Sequence, residues 1–169
     1  MLFRTSSFVK IHNTHPLKFG TKRFLTANIY IVGKSNAGEQ WIADGIGEYE
    51  KRLRPVMQVK TTFLKSNDEL IKSAEKTKGI VFALDENGKQ YTSIGFSKLV
   101  FDSLIEGGSH INFIIGGAEG LPSELKNVYK NNLISLSKMT FTHTHARLVL
   151  YEQLYRASEI QKGSKYHKE

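Results

Sequence analysis

Apolar residues along this chain change rhythm from one stretch to the next, and the rhythm predicts the elements. Ile29 to Val32 and the run Ile111, Phe113, Ile114 and Ile115 are short, β-branched and aromatic, the pattern of strands in an α/β sheet, buried on both faces in the case of the second run. Leu133 to Phe141 (LISLSKMTF) is another short stretch, mixing apolar residues with serine and threonine. From about Ala146 to Lys162 the spacing lengthens to that of a helix. Ala146, Val149, Leu150, Leu154, Ala157 and Ile160 fall on one side as a core-facing stripe, while Tyr151, Glu152, Tyr155, Arg156 and Glu159 fall opposite. The second face is expected at solvent or, because it carries two tyrosines one turn apart, at a subunit interface. Phe63 to Gly79 is plainly hydrophilic, the composition left by a trimmed surface helix rather than by a lost core strand.

The sharpest signal follows Ile115. Gly116 and Gly117 stop the strand, the chain turns through Gly120, and Pro122 with Ser123 and Glu124 reads as a helix start. Glycines let backbone N–H groups approach a ligand with no Cβ in the way, and ligands of open α/β sheets sit at strand ends. The segment therefore predicts a pocket. Its alternative is a plain tight turn between strand and helix.

Composition narrows the picture. The 169 residues make one domain with enough chain for a core, no run approaches the ~18 apolar residues of a membrane span, and the absence of cysteine excludes disulfides and thiolate metal sites. The net charge of +8 is unevenly placed. Residues 1–27 hold Arg4, Lys10, Lys18, Lys22 and Arg23 with no acid, which leaves nineteen basic residues against sixteen acidic ones in the remainder. Basic, serine- and threonine-rich and free of acid, this segment is expected to be an organelle transit peptide, mitochondrial in preference to plastid; a basic arm that touches RNA, on a cytoplasmic protein, is the alternative. In the body, Lys51, Arg52 and Arg54 cluster at the end of the first predicted helix, and Arg156, Lys165 and Lys168 lie toward the tail, either as solvated charges or as a phosphate-binding patch.

Three signals fail. Gly33-Lys34-Ser35 lacks the glycine five positions earlier that a phosphate-binding P-loop requires, since Asn28 stands there. His143 and His145 have no acidic or cysteine ligand at metal-binding spacing, so no metal is expected. No Gly-x-Gly-x-x-Gly is present, which weakens an ordinary dinucleotide site.

Taken in order, the motifs IVGK (Ile31 to Lys34), YEKRL (Tyr49 to Leu53), ALDENGK (Ala83 to Lys89), FIIGGAEGL, SLSKMTF, RLVLYEQLYRA (Arg147 to Ala157) and the closing YHKE resemble the RlmH family of SPOUT-class RNA methyltransferases. The resemblance runs from about residue 28 to the last residue, and a terminal Tyr-His-Lys-Glu after a Tyr-Arg-Ala helix is specific. It implies a parallel α/β sheet with helices on both faces and a C-terminal trefoil knot, a topology so rare that the residue pattern alone would argue against it. It implies methyl transfer from S-adenosylmethionine to ring nitrogen 3 of a pseudouridine in large-subunit ribosomal RNA. The donor would lie against Leu84, Gly116, Gly117 and the loop of Leu136, Ser137, Lys138, Met139, Thr140 and Phe141. It further implies a homodimer in which the tail of one subunit helps to build the active site of the other. Three features depart from the family. Thr142 replaces the usual proline before His143, so a less rigid loop exit is expected. The segment from Phe63 to Gly79 is shorter than usual, and the extension precedes residue 28.

Transfer from a sulfonium to a ring nitrogen needs alignment and a proton acceptor but no metal. His143 and His167 are the candidates for that proton, because imidazole titrates near neutrality; a loop-orienting hydrogen bond and an inert surface position are their respective alternatives. Arg156 is expected to hold RNA phosphate or only to pair with Glu152 one turn away. Tyr166 would stack on an exposed base or pack against the dimer. Two other functions stay open: a ribosome-assembly factor of this fold without catalysis, and a SPOUT enzyme acting on transfer RNA.

Overall fold

The computed structural model describes residues 25–34 and 40–168. Five strands, β1 (Leu25–Val32), β2 (Met57–Leu64), β3 (Ile80–Gln90), β4 (His110–Ile115) and β5 (Leu133–Ser135), alternate with five helices. The helices are α1 (Gln40–Leu53), α2 (Asn67–Glu75), α3 (Ser93–Glu106), α4 (Ser123–Val128) and α5 (His143–Gln161). All strand pairings are parallel, in the order β2-β1-β4-β3-β5.

The sheet is covered on both faces, as the continuous apolar runs require. On one side Ala27, Ile29 and Ile31 of β1 and Ile111, Phe113 and Ile115 of β4 pack with residues of α1, α3 and α5. On the other, Ile114 meets Leu70 and Ala74 of α2 and Leu125 of α4. The hydrophilic segment after Phe63 does contain a helix. Ser66 caps α2 by accepting the N–H of Glu69, and Leu70 and Ala74 are its buried residues. The one polar residue inside β4, Asn112, is fully buried and satisfied: it donates to the carbonyls of Lys78 (2.8 Å) and Ile80 (3.1 Å) and accepts from Asn28 (2.8 Å).

The structure refines these readings. The folded body begins upstream of residue 28, because Leu25, Thr26 and Ala27 are buried in β1 and run in register with Met57, Gln58 and Val59. The expected transit segment otherwise lies outside the described residues. The stretch from Leu133 to Phe141 is a strand only as far as Ser135, and the remainder is loop. Helix α5 starts three residues earlier than its apolar stripe, because Thr142 is an N-cap whose hydroxyl accepts the N–H of His145 at 3.3 Å. The threonine thus anchors the helix start where a weaker exit was expected. Lastly, Tyr151 is not on an outer face: it is fully buried, donates its hydroxyl to Glu50 at 2.8 Å and lies 3.0 Å from the Thr61 hydroxyl. Helix α5 is wedged between α1 and α3, so its buried sector is wider than a single stripe.

Candidate active site

A cavity of about 350 Å³ opens at the carboxyl ends of β3, β4 and β5, within the ~300–1,000 Å³ range usual for ligand pockets. Three loops build it. The first follows β4: the Gly117 carbonyl accepts the Gly120 N–H at 3.0 Å, and Gly120 adopts a φ of +78° that favours glycine. Gly116 and Gly117 both line the cavity, yet their missing side chains serve the protein more than a ligand. A Cβ on Gly116 would lie 2.2 Å from the Gly120 carbonyl carbon, and one on Gly117 3.3 Å from Val32 Cγ1. The glycines let the loop close on itself and against β1, leaving its backbone as the cavity wall.

The second loop follows β5. Leu136, Ser137, Met139, Thr140 and Phe141 line the cavity, whereas Lys138 is exposed and outside the wall. Ser135 donates to the Ser137 carbonyl at 2.7 Å, and the Met139 N–H donates to the Ser137 hydroxyl at 3.0 Å, so the turn is pinned from within. The third loop is an excursion within β3. Pairing with β5 jumps from Leu84↔Ile134 to Lys89↔Ile134, looping out Asp85 to Gly88. The chain returns so close to β5 that a Cβ on Gly88 would lie 2.6 Å from the Ile134 carbonyl carbon.

That excursion supplies two carboxylates that the sequence reading missed. Glu86 accepts from the Thr140 hydroxyl at 2.9 Å, tying the third loop to the second. Asp85, with a side chain only 7% exposed, meets Lys126 Nζ of α4 at 2.8 Å and accepts the Asn87 N–H at 3.0 Å. Burial pushes its pKa up, but Lys126 and the Asn87 N–H outweigh that and hold it below the usual aspartate value. The signal for Asp85 was an acidic pair inside an otherwise apolar strand run, just before Gly88. His143, at the first turn of α5, completes the wall, and a Cβ on Gly33 would lie 3.1 Å from its Nε2, so the ring rests against the end of β1.

Arg156, Tyr166 and His167 stand elsewhere. Arg156 lies thirteen residues beyond His143 on α5, ~20 Å along a straight helix. Glu152 Oε1 accepts from Arg156 Nε (3.0 Å) and from the Tyr166 hydroxyl (3.2 Å). Arg156 also lies over the Tyr166 ring, 4.9 Å from its centroid, and its Nη1 is 3.5 Å from His167 Nδ1. Burial first, then the Glu152 charge, push the Tyr166 phenol up to about 12. The structure therefore gathers His143 with the predicted donor-binding residues except Lys138, and gathers the tail residues into a second cluster at the far end of the same helix. Among the described residues no group of His, Asp and Glu has a metal-binding arrangement.

The sequence pattern of the family described as predicted SPOUT methyltransferases matches residues 25–167. A protein of Protochlamydia amoebophila named ribosomal RNA large subunit methyltransferase H is 42% identical over 144 residues, covering 85% of this chain and 99% of that protein. A protein of the same name from Prochlorococcus marinus is 42% identical, covering 83% and 91%; another, from Dictyoglomus thermophilum, is 37% identical, covering 85% and 99%. With the family pattern spanning all five strands and both residue clusters, and such relatives matched over nearly their whole length, the chain belongs to the SPOUT methyltransferases, in the group of ribosomal RNA large subunit methyltransferase H proteins.

Proposed function

We propose that this protein methylates ring nitrogen 3 of a pseudouridine in large-subunit ribosomal RNA, with S-adenosylmethionine as methyl donor. The observation that carries the reading is the three-loop cavity at the strand ends, in a chain of methyltransferase family. Its wall suits the donor. Backbone of the Gly116–Gly120 and Leu136–Phe141 loops lines it, Leu84, Leu121 and Phe141 give apolar surface for an adenine, and Glu86 and Glu119 bring negative charge toward a cationic ligand, Asp85 being paired with Lys126. When bound, the donor supplies a methyl carbon already activated by its sulfonium.

The chain's own residues then align and deprotonate. The cavity walls hold the donor carbon fixed while the RNA brings up its nitrogen, and such alignment supplies a large share of the barrier reduction. His143 stands at the cavity with its ring against Gly33, where it would accept the proton that the ring nitrogen loses as the C–N bond forms and the donor's S–C bond breaks to leave a neutral thioether. Arg156, Tyr166 and His167 are too far from the cavity of their own subunit to share in this step. The reading therefore includes a homodimer in which they serve the cavity of the other copy, Arg156 holding RNA phosphate. It also includes the C-terminal trefoil knot that the family resemblance implies.

We assign the N-terminal segment as a mitochondrial, less readily a plastid, transit peptide. Since Leu25 begins β1, cleavage falls at or before it. A reporter carrying residues 1–24 should enter mitochondria, and a reporter left in the cytoplasm removes this assignment. For the activity, purified protein is incubated with methyl-labelled S-adenosylmethionine and ribosomes, and the nucleosides are resolved by mass spectrometry. Label in N3-methylpseudouridine of large-subunit RNA is expected. Label only in transfer RNA assigns a different substrate, and donor binding without transfer to any RNA assigns an assembly factor.

A further inference from the structure

The C-terminal tail is held by more than its own helix. Beyond α5 the chain turns through Gly163, and Tyr166 folds back so that its ring meets Tyr155 edge-on, with centroids 4.8 Å apart at 70°. Tyr155 continues the stack into α1: its ring lies 6.0 Å from that of Tyr49, and the Arg52 guanidinium carbon is 5.6 Å from its centroid. With Arg156 4.9 Å from the Tyr166 centroid, the side chains Arg52, Tyr155, Tyr166 and Arg156 form one array that joins α1, α5 and the tail. Each cation is steadied by an acid one helical turn earlier, Arg52 by Glu48 at 2.8 Å and Arg156 by Glu152.

This array has a mechanical consequence. A short terminal segment loses conformational freedom when it is ordered, and few contacts oppose that loss. Along the tail the Ser164 N–H donates to the Glu159 carbonyl at 3.0 Å and the Tyr166 N–H to the Ser164 hydroxyl at 3.3 Å, while the Tyr166 hydroxyl reaches Glu152. Aromatic and cation–π contacts are individually modest, so removing one from a chain of three should shift the tail measurably. Arg52 lies in the YEKRL segment, near neither the cavity nor the tail in sequence.

We propose that Arg52 and Tyr49 of α1 are positioning residues for methyl transfer, clamping Tyr155 so that Tyr166 and His167 are presented in one fixed geometry. This rests on the reading that the tail serves the reaction. An ordinary surface pair between Arg52 and Glu48 would leave the tail unaffected by loss of Arg52.

The test uses the full chain, with Arg52→Ala, Arg52→Lys and a form lacking residues 166–169. Four quantities are read: amide hydrogen exchange at Lys165 to Lys168, kcat, KM for ribosomal RNA, and donor affinity. Arg52→Ala should exchange faster in the tail and lose roughly two- to fivefold in kcat, the loss of one exposed cation–π contact, with donor affinity and KM unchanged. Arg52→Lys keeps the charge but not the planar stacking surface, and should recover only part of both. Unchanged tail exchange in Arg52→Ala overturns the clamp, and a rise in KM alone would make Arg52 a direct RNA contact instead. If the form lacking residues 166–169 keeps full activity, the underlying reading of the tail fails, while the exchange measurement still reports whether the clamp exists.

Discussion

The two ends of helix α5 carry the two halves of the proposed chemistry and are built in opposite ways. At the amino end the cavity is a matter of backbone: Gly116 lets its loop close on itself, Gly117 and Gly88 let loops lie against β1 and β5, and the Thr140–Glu86 bond pins two loops together. At the carboxyl end the arrangement is all side chain, with Arg156, Tyr155, Tyr166 and His167 gathered around Glu152. A small donor can be held by main-chain groups that a fold fixes rigidly, whereas RNA phosphate and bases call for charge and aromatic faces at the surface. On the proposed reading, the separation of about 20 Å along the helix leaves neither half able to complete the site within one subunit.

The largest effect should come from the tail. Deleting Tyr166 to Glu169 should lower methyl transfer on the order of 10²-fold or more, the scale of losing alignment at the reacting centre, with donor affinity by calorimetry unchanged. A parallel loss of donor affinity would merge the two regions into one. Next is the cavity. Gly116→Val is a poor probe, since its side chain would strike the Gly120 backbone rather than occupy donor space. Ala146, which lines the cavity from α5, can be enlarged without backbone strain. Ala146→Phe should weaken donor binding roughly five- to 150-fold, an overpacking cost of about 1–3 kcal/mol, while tail hydrogen exchange stays unchanged.

The contrast also explains what the sequence could and could not disclose. Glycine, proline and apolar runs announce strand ends and turns directly, so β4, its following loop and the cavity were legible from Ile111 to Pro122. The glycine mechanism was misread, because which way a missing Cβ would point depends on Gly120 and Val32, which only the fold brings near. Asp85 and Lys126 lie on different elements, and their pairing had no local pattern. Tyr151 was misplaced because a helix packed between two others buries more than one stripe. The tail cluster was legible only through resemblance, since nothing in YHKE by itself says that the chain folds back onto Glu152 and Tyr155.

Smaller effects test the frame that holds the two ends apart. Tyr151→Phe removes the donor to Glu50 and should cost about 1.5 kcal/mol, the price of leaving a half-buried carboxylate short of a partner, read by urea unfolding. Burial pushes the Tyr151 phenol up, so its neutral form is the one favoured by folding. That stabilisation is full below the ordinary tyrosine value of ~10 and is lost as pH rises through the folded value. The wild type should therefore lose Tm more steeply than Tyr151→Phe above about pH 10. The smallest effect expected is Thr142→Ala. Loss of the α5 cap should cost about 1 kcal/mol and lower Tm without changing transfer by the folded protein; unchanged stability would mean that the capping bonds contribute nothing.

The central claim is that one active site draws its cavity from one copy and its tail from another, and mixing two defective chains tests it most directly. Chains lacking Tyr166 to Glu169 are combined with Ala146→Phe chains, allowed to exchange subunits, and assayed for methyl transfer to large-subunit ribosomal RNA. Mixed dimers hold one intact cavity facing one intact tail, so the mixture should exceed the mean activity of its two components. Mixed dimers that form, as seen by native mass spectrometry, yet give no more than that mean would contradict the shared site.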